Sequence, residues 1–175
     1  MVAPRRGPRP VAAAIALRYL SPPHPFRSPP WPSGSTYFNF PRCTEEAFQF
    51  YRSVFGGDFN GPVHRFGEMP AAPGQPPLPD ADKNLVMHVE LPILGGHVLM
   101  GTDAPESMGF TVTPGNQVHI NLQPDTRAHT DQLFKGLAAG GKIDMPMADM
   151  FWGAYFGSLT DRYGVRWMFN CQAKT

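Results

Sequence analysis

Cysteine, long apolar runs and excess charge are all scarce in this chain of 175 residues. Cys43 and Cys171 are the only cysteines. They form no CxxC pair and no disulfide framework, which excludes a thiolate zinc knuckle and a disulfide-stapled domain and makes reduced thiols in a cytoplasmic protein the expectation. No stretch approaches the roughly 18–20 continuous apolar residues of a bilayer-spanning helix, so no membrane partner is expected. Acidic residues are missing before Glu45, whereas Arg5, Arg6, Arg9, Arg18 and Arg27 all precede it; residues 36–175 therefore carry ten Lys+Arg against 14 Asp+Glu, net −4. That balance removes the electrostatic case for nucleic acid. No glycine-rich loop links a strand to a helix, which leaves a methyltransferase-type cofactor cradle without support.

Proline, by contrast, is concentrated at one end: nine of the 21 prolines lie at or before Pro32. Runs such as Pro22-Pro23-His24-Pro25 and Pro29-Pro30-Trp31-Pro32 cannot donate regular backbone hydrogen bonds and favour extended, solvated chain. The apolar stretch Val11 to Leu20 has the outward form of an export signal, but Arg18 interrupts it and no small-residue cleavage site follows. Residues 1–35 are read as a flexible Pro/Arg-rich extension, and residues 36–175 as a single domain.

Within that domain one pattern occurs twice. Tyr37-Phe38-Asn39-Phe40 reads as a strand, and Thr44 as the cap of a helix with Glu45 and Glu46 in its first turn. Ala47, Phe48, Tyr51, Val54 and Phe55 share one face of that helix, and Gly56-Gly57 ends it. Leu85 to Leu91 and Val98 to Met100 follow as strands around a Leu94-Gly95-Gly96-His97 turn. In the second copy, Gln117 to Leu122 alternates polar and apolar residues as a half-buried strand does, with Val118, Ile120 and Leu122 on the packed side. Asp125 or Thr126 starts a helix with the stripe Leu133, Phe134, Leu137 and Ala138 before Gly140-Gly141. Strands over Lys142 to Met147, Ala154 to Thr160 and Val165 to Asn170 complete it, the last two joined by Asp161-Arg162-Tyr163-Gly164. The expected fold class is α+β: two βαβββ modules, about 36–110 and 111–175, forming curved mixed sheets around a small-molecule pocket.

The ordered series Phe50-Tyr51 through Phe55-Gly56-Gly57, Met87-His88-Val89-Glu90-Leu91, Leu99-Met100-Gly101-Thr102-Asp103 and Trp152-Gly153 through Asp161-Arg162-Tyr163-Gly164-Val165-Arg166-Trp167 resembles the PhnB-like branch of the vicinal oxygen chelate superfamily. That superfamily comprises glyoxalases, bleomycin-resistance proteins and ring-cleaving dioxygenases. The resemblance implies a homodimer and, in enzymatic members, a divalent metal held by His, Glu or Gln from both modules, acting as a Lewis acid. Here the implied first-strand ligand position falls at Thr36 to Phe38 and the last-strand carboxylate position at Met168. Neither an aromatic ring nor a thioether suits a hard divalent ion. Gln117 or His119 alone fills a ligand position, so no metal site is assigned and no cofactor is certain; a divalent metal stays open if His88, Glu90 and His119 converge.

A different constellation carries the chemistry. His88 and Glu90 are two apart on one strand, as are Gln117, His119 and Asn121 on another, so each set shares a face. His88 or His119 is the candidate general base, with Glu90 orienting an imidazole or binding a cation. Gln117 and Asn121 are candidate ligand contacts, with Trp152 and Tyr155 for a planar group, Arg166 for an anion and Asn170 as a hydrogen-bonding wall. Cys43 reads as a partly buried small residue. Two functions fit these residues: an enzyme of lyase, isomerase or dioxygenase character with an atypical site, with or without a metal, or a non-catalytic protein sequestering an aromatic or antibiotic-like ligand. A chain beginning at Ser35 is expected to keep the thermal unfolding midpoint of the full chain within a few degrees, because the extension has no packed core to lose. A loss of ten degrees or so in a scanning fluorimetry comparison would refute the extension reading.

Overall fold

The computed structural model describes residues 34–70 and 77–172. The expected extension lies outside the described residues apart from Gly34 and Ser35, and Ser35 already opens the first strand. The first module runs β1 (Ser35–Phe40), α1 (Thr44–Phe55), β2 (His64–Arg65), β3 (Val86–Pro92) and β4 (Val98–Asp103). The second runs β5 (Ile120–Leu122), α2 (Arg127–Ala138), β6 (Lys142–Asp149), β7 (Tyr155–Thr160) and β8 (Arg166–Cys171). Each module forms a four-stranded mixed sheet, ordered β1-β4-β3-β2 and β5-β8-β7-β6, with β1 parallel to β4 and β5 parallel to β8. The two βαβββ modules of an α+β fold are thus present. Among the described residues no helix is long and apolar enough to cross a membrane.

Each helix lies on the inner face of its own sheet and the helices meet between the sheets. Ala47, Phe48 and Tyr51 of α1 are fully buried, and so are Leu99 of β4 and Leu91 of β3. Gly101 permits the approach of α1, because a Cβ there would stand 2.4 Å from the Phe48 ring. In the second module, Phe134 of α2 meets Phe169 of β8 edge-to-face with centroids 5.4 Å apart. Gly136 of α2 faces Val54 of α1, where a Cβ would lie 2.9 Å from the valine side chain. Tyr51 and Phe55 of α1 both reach Trp167 of β8, with ring centroids 5.6 and 5.7 Å away. One apolar core therefore serves both modules.

Two local expectations need correction. Thr44 does not cap α1: it is the first helical residue, its own N–H donates to Asp103 Oδ1 at 2.9 Å, and its hydroxyl oxygen is buried without a partner. The cap comes from the end of β4, and the same carboxylate accepts Val86 N–H at 2.8 Å through Oδ2. The strand expected from Gln117 is only Ile120–Leu122, and Val118 is 76 % exposed, with no layer packed against it among the described residues. Of the two expected starts of α2, Asp125 or Thr126, it is Thr126 that caps the helix, accepting the His129 N–H.

The turn between β7 and β8 ties the two modules together. Asp161 is buried, and its Oδ2 accepts the Tyr51 hydroxyl at 2.8 Å and the Trp167 indole N–H at 2.9 Å. Its Oδ1 accepts the backbone N–H groups of Tyr163 and Val165 at 2.8 and 3.0 Å. Burial, then the Asp161 carboxylate, push the Tyr51 phenol far above its ordinary pKa, so it stays a donor. Burial and the hydrogen bond to Glu46 likewise push the Tyr163 phenol up to about 12. Tyr51→Phe is expected to cost about 1.5–3 kcal/mol, the usual range for a hydrogen bond to a charged group. Asp161→Ala should cost more, roughly 3–5 kcal/mol, since it strands several buried donors at once. Urea denaturation of both variants checks the order; equal costs would mean that Tyr51 is the only donor that matters.

Candidate functional site

With both inner faces packed on helices, polar chemistry is confined to the outer faces, and strand parity decides which residues reach them. On the first sheet, Tyr37 stands opposite Met100, and Met100 opposite Glu90. The inward neighbours Val89 and Leu91 are buried, which turns His88 and Glu90 outward. Tyr37 is the outward residue of the expected first-strand ligand segment, since its neighbours Thr36 and Phe38 pair with Leu99 and Gly101 on the packed side.

His88 and Glu90 form a hydrogen-bonded pair, Nε2 to Oε1, at 3.0 Å. The second Glu90 oxygen accepts the Asn60 side-chain N–H at 2.9 Å. Glu90 is held by both contacts, and because it accepts from Nε2 the imidazole Nδ1 is left as the free lone pair. The Tyr37 hydroxyl approaches that nitrogen at 3.5 Å, a long contact, while its ring stacks on the imidazole at 5.9 Å and 23°. Burial, reinforced by the Glu90 charge, raises the Tyr37 pKa, with an opposing hydrogen bond from Thr102. Tyr37 is therefore a neutral donor. Sequence reasoning found His88 and Glu90 but missed Tyr37 and Asn60. Tyr37 was detectable from its strand parity, whereas Asn60 lies in an irregular loop with no periodic signal.

The remaining candidates divide by position. His119 precedes β5 in the second module, and among the described residues no group of three His, Cys, Asp or Glu side chains is close enough to hold one ion. His88, Glu90 and His119 therefore form no ion-holding group among the described residues. Gln117 is exposed in the segment before β5, and Asn121 stands beside Met168 on the outer face of the second sheet. Arg166 and Asn170 share that face. Arg166 is already engaged: its Nη1 lies 3.9 Å from Asp144, whose Oδ2 accepts the Thr160 hydroxyl at 2.7 Å. Trp152 is 52 % exposed in the β6–β7 turn. Tyr155 points to the helix side instead, donating to Asp131 Oδ1 at 2.8 Å beneath the Arg127 guanidinium, so it is parted from Asn170 by the sheet. Cys43 and Cys171 are free thiols. Burial, then the Asp103 and Glu46 carboxylates, push the Cys43 thiol up, which disfavours a nucleophilic thiolate.

The geometry defines a paired βαβββ protein whose outer sheet faces, rather than its core, carry the polar groups. The chain belongs to the Glyoxalase/Bleomycin resistance protein/Dioxygenase superfamily, whose family model matches residues 41–169. It is 29 % identical over 148 residues to Protein YjdN of Escherichia coli (strain K12), covering 78 % of this chain and 92 % of that one. Among solved structures, protein PA1353 from Pseudomonas aeruginosa superposes with a TM-score of 0.70 at 32 % identity, covering 82 % of this chain and all (100 %) of that one. A Bacillus cereus protein described as a putative 3-demethylubiquinone-9 3-methyltransferase, PhnB protein, gives 0.58 at 28 % identity, covering 80 % and 99 %.

The divalent metal implied by this family does not fit the donors of one chain. The two outer faces offer a phenol at Tyr37 and a thioether at Met168, and the His88–Glu90 pair adds only the free Nδ1 of His88 beside a carboxylate already engaged by His88 and Asn60; these donors are too few for a tight site. Calorimetric titration with zinc, nickel and manganese is expected to show no stoichiometric binding, and His88→Ala and His119→Ala should leave the traces unchanged. Tight binding lost in either variant would overturn this donor assignment.

Proposed function

We propose that the chain handles a small organic ligand on the outer face of its first sheet, with His88 as general base. The observation that carries this reading is the orientation of the imidazole: Glu90, steadied by Asn60, accepts from Nε2, and Nδ1 is left facing the Tyr37 hydroxyl. A base held in one tautomer by a carboxylate, next to a neutral hydroxyl donor, suits proton abstraction beside a carbonyl. His88 Nδ1 takes the α-proton, Glu90 stabilises the resulting imidazolium, and Tyr37 donates to the developing enolate oxygen. The proton returns to carbon or oxygen when the imidazolium gives it back, so the cycle needs no oxidant. The stacked Tyr37 ring favours a ligand that is flat next to its carbonyl.

A second copy of the chain is the expected partner. Among the described residues the outer face of the first sheet has no wall of its own, and Ile143 and Met145 are exposed on the edge strand β6. Pro146 and two bulges blunt that edge against strand addition, so association would run face to face in a homodimer. Light scattering at micromolar concentration is expected to give twice the chain mass.

Phenylpyruvate, a flat ketone with an exchangeable α-proton, is a suitable probe of the chemistry. In deuterated buffer the protein should accelerate loss of the α-proton NMR signal, and His88→Ala should lower that rate by about 10²–10⁴, the usual contribution of a positioned base. Glu90→Gln should give a smaller loss. A rate equal to buffer alone, or one untouched by His88→Ala, sinks the reading.

A further inference from the structure

Strand register builds a row of charge on the outer face of the second sheet that the first-sheet chemistry does not use. Arg166 of β8 stands opposite Thr160 of β7, and Thr160 stands opposite Lys142 of β6. Thr160 follows Leu159, which is fully buried on the helix side, so all three side chains of the row point outward. Neighbouring strands lie about 4.8 Å apart, which brings a guanidinium, a hydroxyl and an ammonium within reach of one small group. Strand parity alone marks Arg166 as an anion contact; the register adds Lys142 and Thr160 to it.

Asp144 shows what such a row holds. Ile143 pairs with Leu159 and Met145 with Ser158, so Asp144 is the extra residue of a bulge, which turns its carboxylate over the row. That carboxylate accepts the Thr160 hydroxyl at 2.7 Å and lies 3.3 Å from Lys142 Nζ and 3.9 Å from Arg166 Nη1. The Thr160 hydrogen bond, reinforced by the Lys142 and Arg166 charges, holds the Asp144 carboxyl below the ordinary carboxylate range, so it is ionised at neutral pH. Two cations thus share one carboxylate, and neither pairs with another acid among the described residues. The Arg166 contact is an ion pair too long for a hydrogen bond. Its side chain is only 30 % exposed and makes no hydrogen bond to another described residue, so the N–H fork is left for an acceptor from outside the chain.

We infer that this row is the seat of a phosphate monoester, with Asp144 as the internal counter-ion that the phosphate displaces. The Arg166 fork donates to two phosphate oxygens, Lys142 to a third, and the Thr160 hydroxyl, released by Asp144, to the same group. Asp144 lies on β6, the edge strand of its sheet, so it can turn toward solvent without parting two strands. A carboxylate ligand would bring one charge and two oxygens, no more than Asp144 already supplies. A phosphate dianion brings a further charge and a further oxygen, and that difference favours the exchange. The surplus of acids over residues 36–175, 14 against ten Lys+Arg, repels long polyanions and leaves a small ester as the ligand. The inference rests on nothing at His88 and stands or falls apart from the proton chemistry of the first sheet.

Glycerol 2-phosphate is the probe, with acetate and inorganic phosphate as comparisons, all at neutral pH and low salt. The Arg166 Nε–H resonance and phosphorus NMR should report saturable one-to-one binding of the ester, about tenfold tighter than acetate at the same resonance. Arg166→Gln should weaken binding about tenfold and Lys142→Gln about threefold. Because Lys142 is 80 % exposed, Lys142→Gln should leave the thermal midpoint unchanged, so its loss of binding is not a loss of fold. Asp144→Asn should tighten binding by about threefold to tenfold, since the competing charge is gone; a row that serves stability alone predicts no gain. No saturable shift at Arg166, equal affinity in Asp144→Asn and the parent, or acetate bound as tightly as the ester would each overturn the inference. Inorganic phosphate bound more tightly than the ester would assign the seat to the free ion and overturn the ester.

Discussion

The structure depends on a single buried carboxylate. Asp161 accepts two side-chain and two backbone donors, one of them from α1 in the other module. A buried charge is tolerable only when its oxygens are saturated in this way. Its neighbours extend the grip. The Arg162 Nε donates to the Ala139 carbonyl at the end of α2, its guanidinium lies 4.5 Å from the Phe50 ring centroid, and the Tyr163 hydroxyl donates to Glu46 on α1. Gly141 lets this turn sit close, since a Cβ there would stand 2.4 Å from the Thr160 carbonyl oxygen. Four consecutive residues, Asp161 to Gly164, thereby fix both helices and hence the relative placement of both sheets.

That placement determines where function can reside. With α1 and α2 held between the sheets, the inner faces are given over to apolar packing and to the few polar groups that satisfy one another. The outer faces carry the remaining polar side chains. The two faces have diverged in kind: the first presents a carboxylate–imidazole pair beside a phenol, and the second presents neutral amides beside exposed aromatic rings.

Much of the fold was legible because its signals are local. The glycine exits, the apolar stripes of both helices and the tight Leu94 to His97 turn all follow from neighbours a few residues apart. What was not legible arises from distance. The cap of α1 comes from Asp103, 59 residues beyond Thr44, and a sequence that offers a threonine in the right place gives no reason to look further. The clamp at Asp161 reads locally as an ordinary turn aspartate, and only the fold brings Tyr51 to it across 110 residues. Of the candidate site, the His88–Glu90 pair was legible from strand parity alone. Tyr155 was not, because parity gives alternation without saying which side the helix covers.

The same reasoning bears on why the family's metal chemistry fits this chain poorly. Met168 sits between Asn121 and Ser158 on the outer face, where a carboxylate would otherwise complete a hard-donor set. A thioether there binds soft ions or apolar surface, and it leaves a neighbouring asparagine and serine without a charge to organise around. On the first sheet the only free nitrogen of the pair is His88 Nδ1, since Nε2 is held by Glu90 and Glu90 is in turn held by His88 and Asn60. One imidazole nitrogen beside a neutral phenol leaves too few donors for a tight site, so the substitutions on the two faces point the same way.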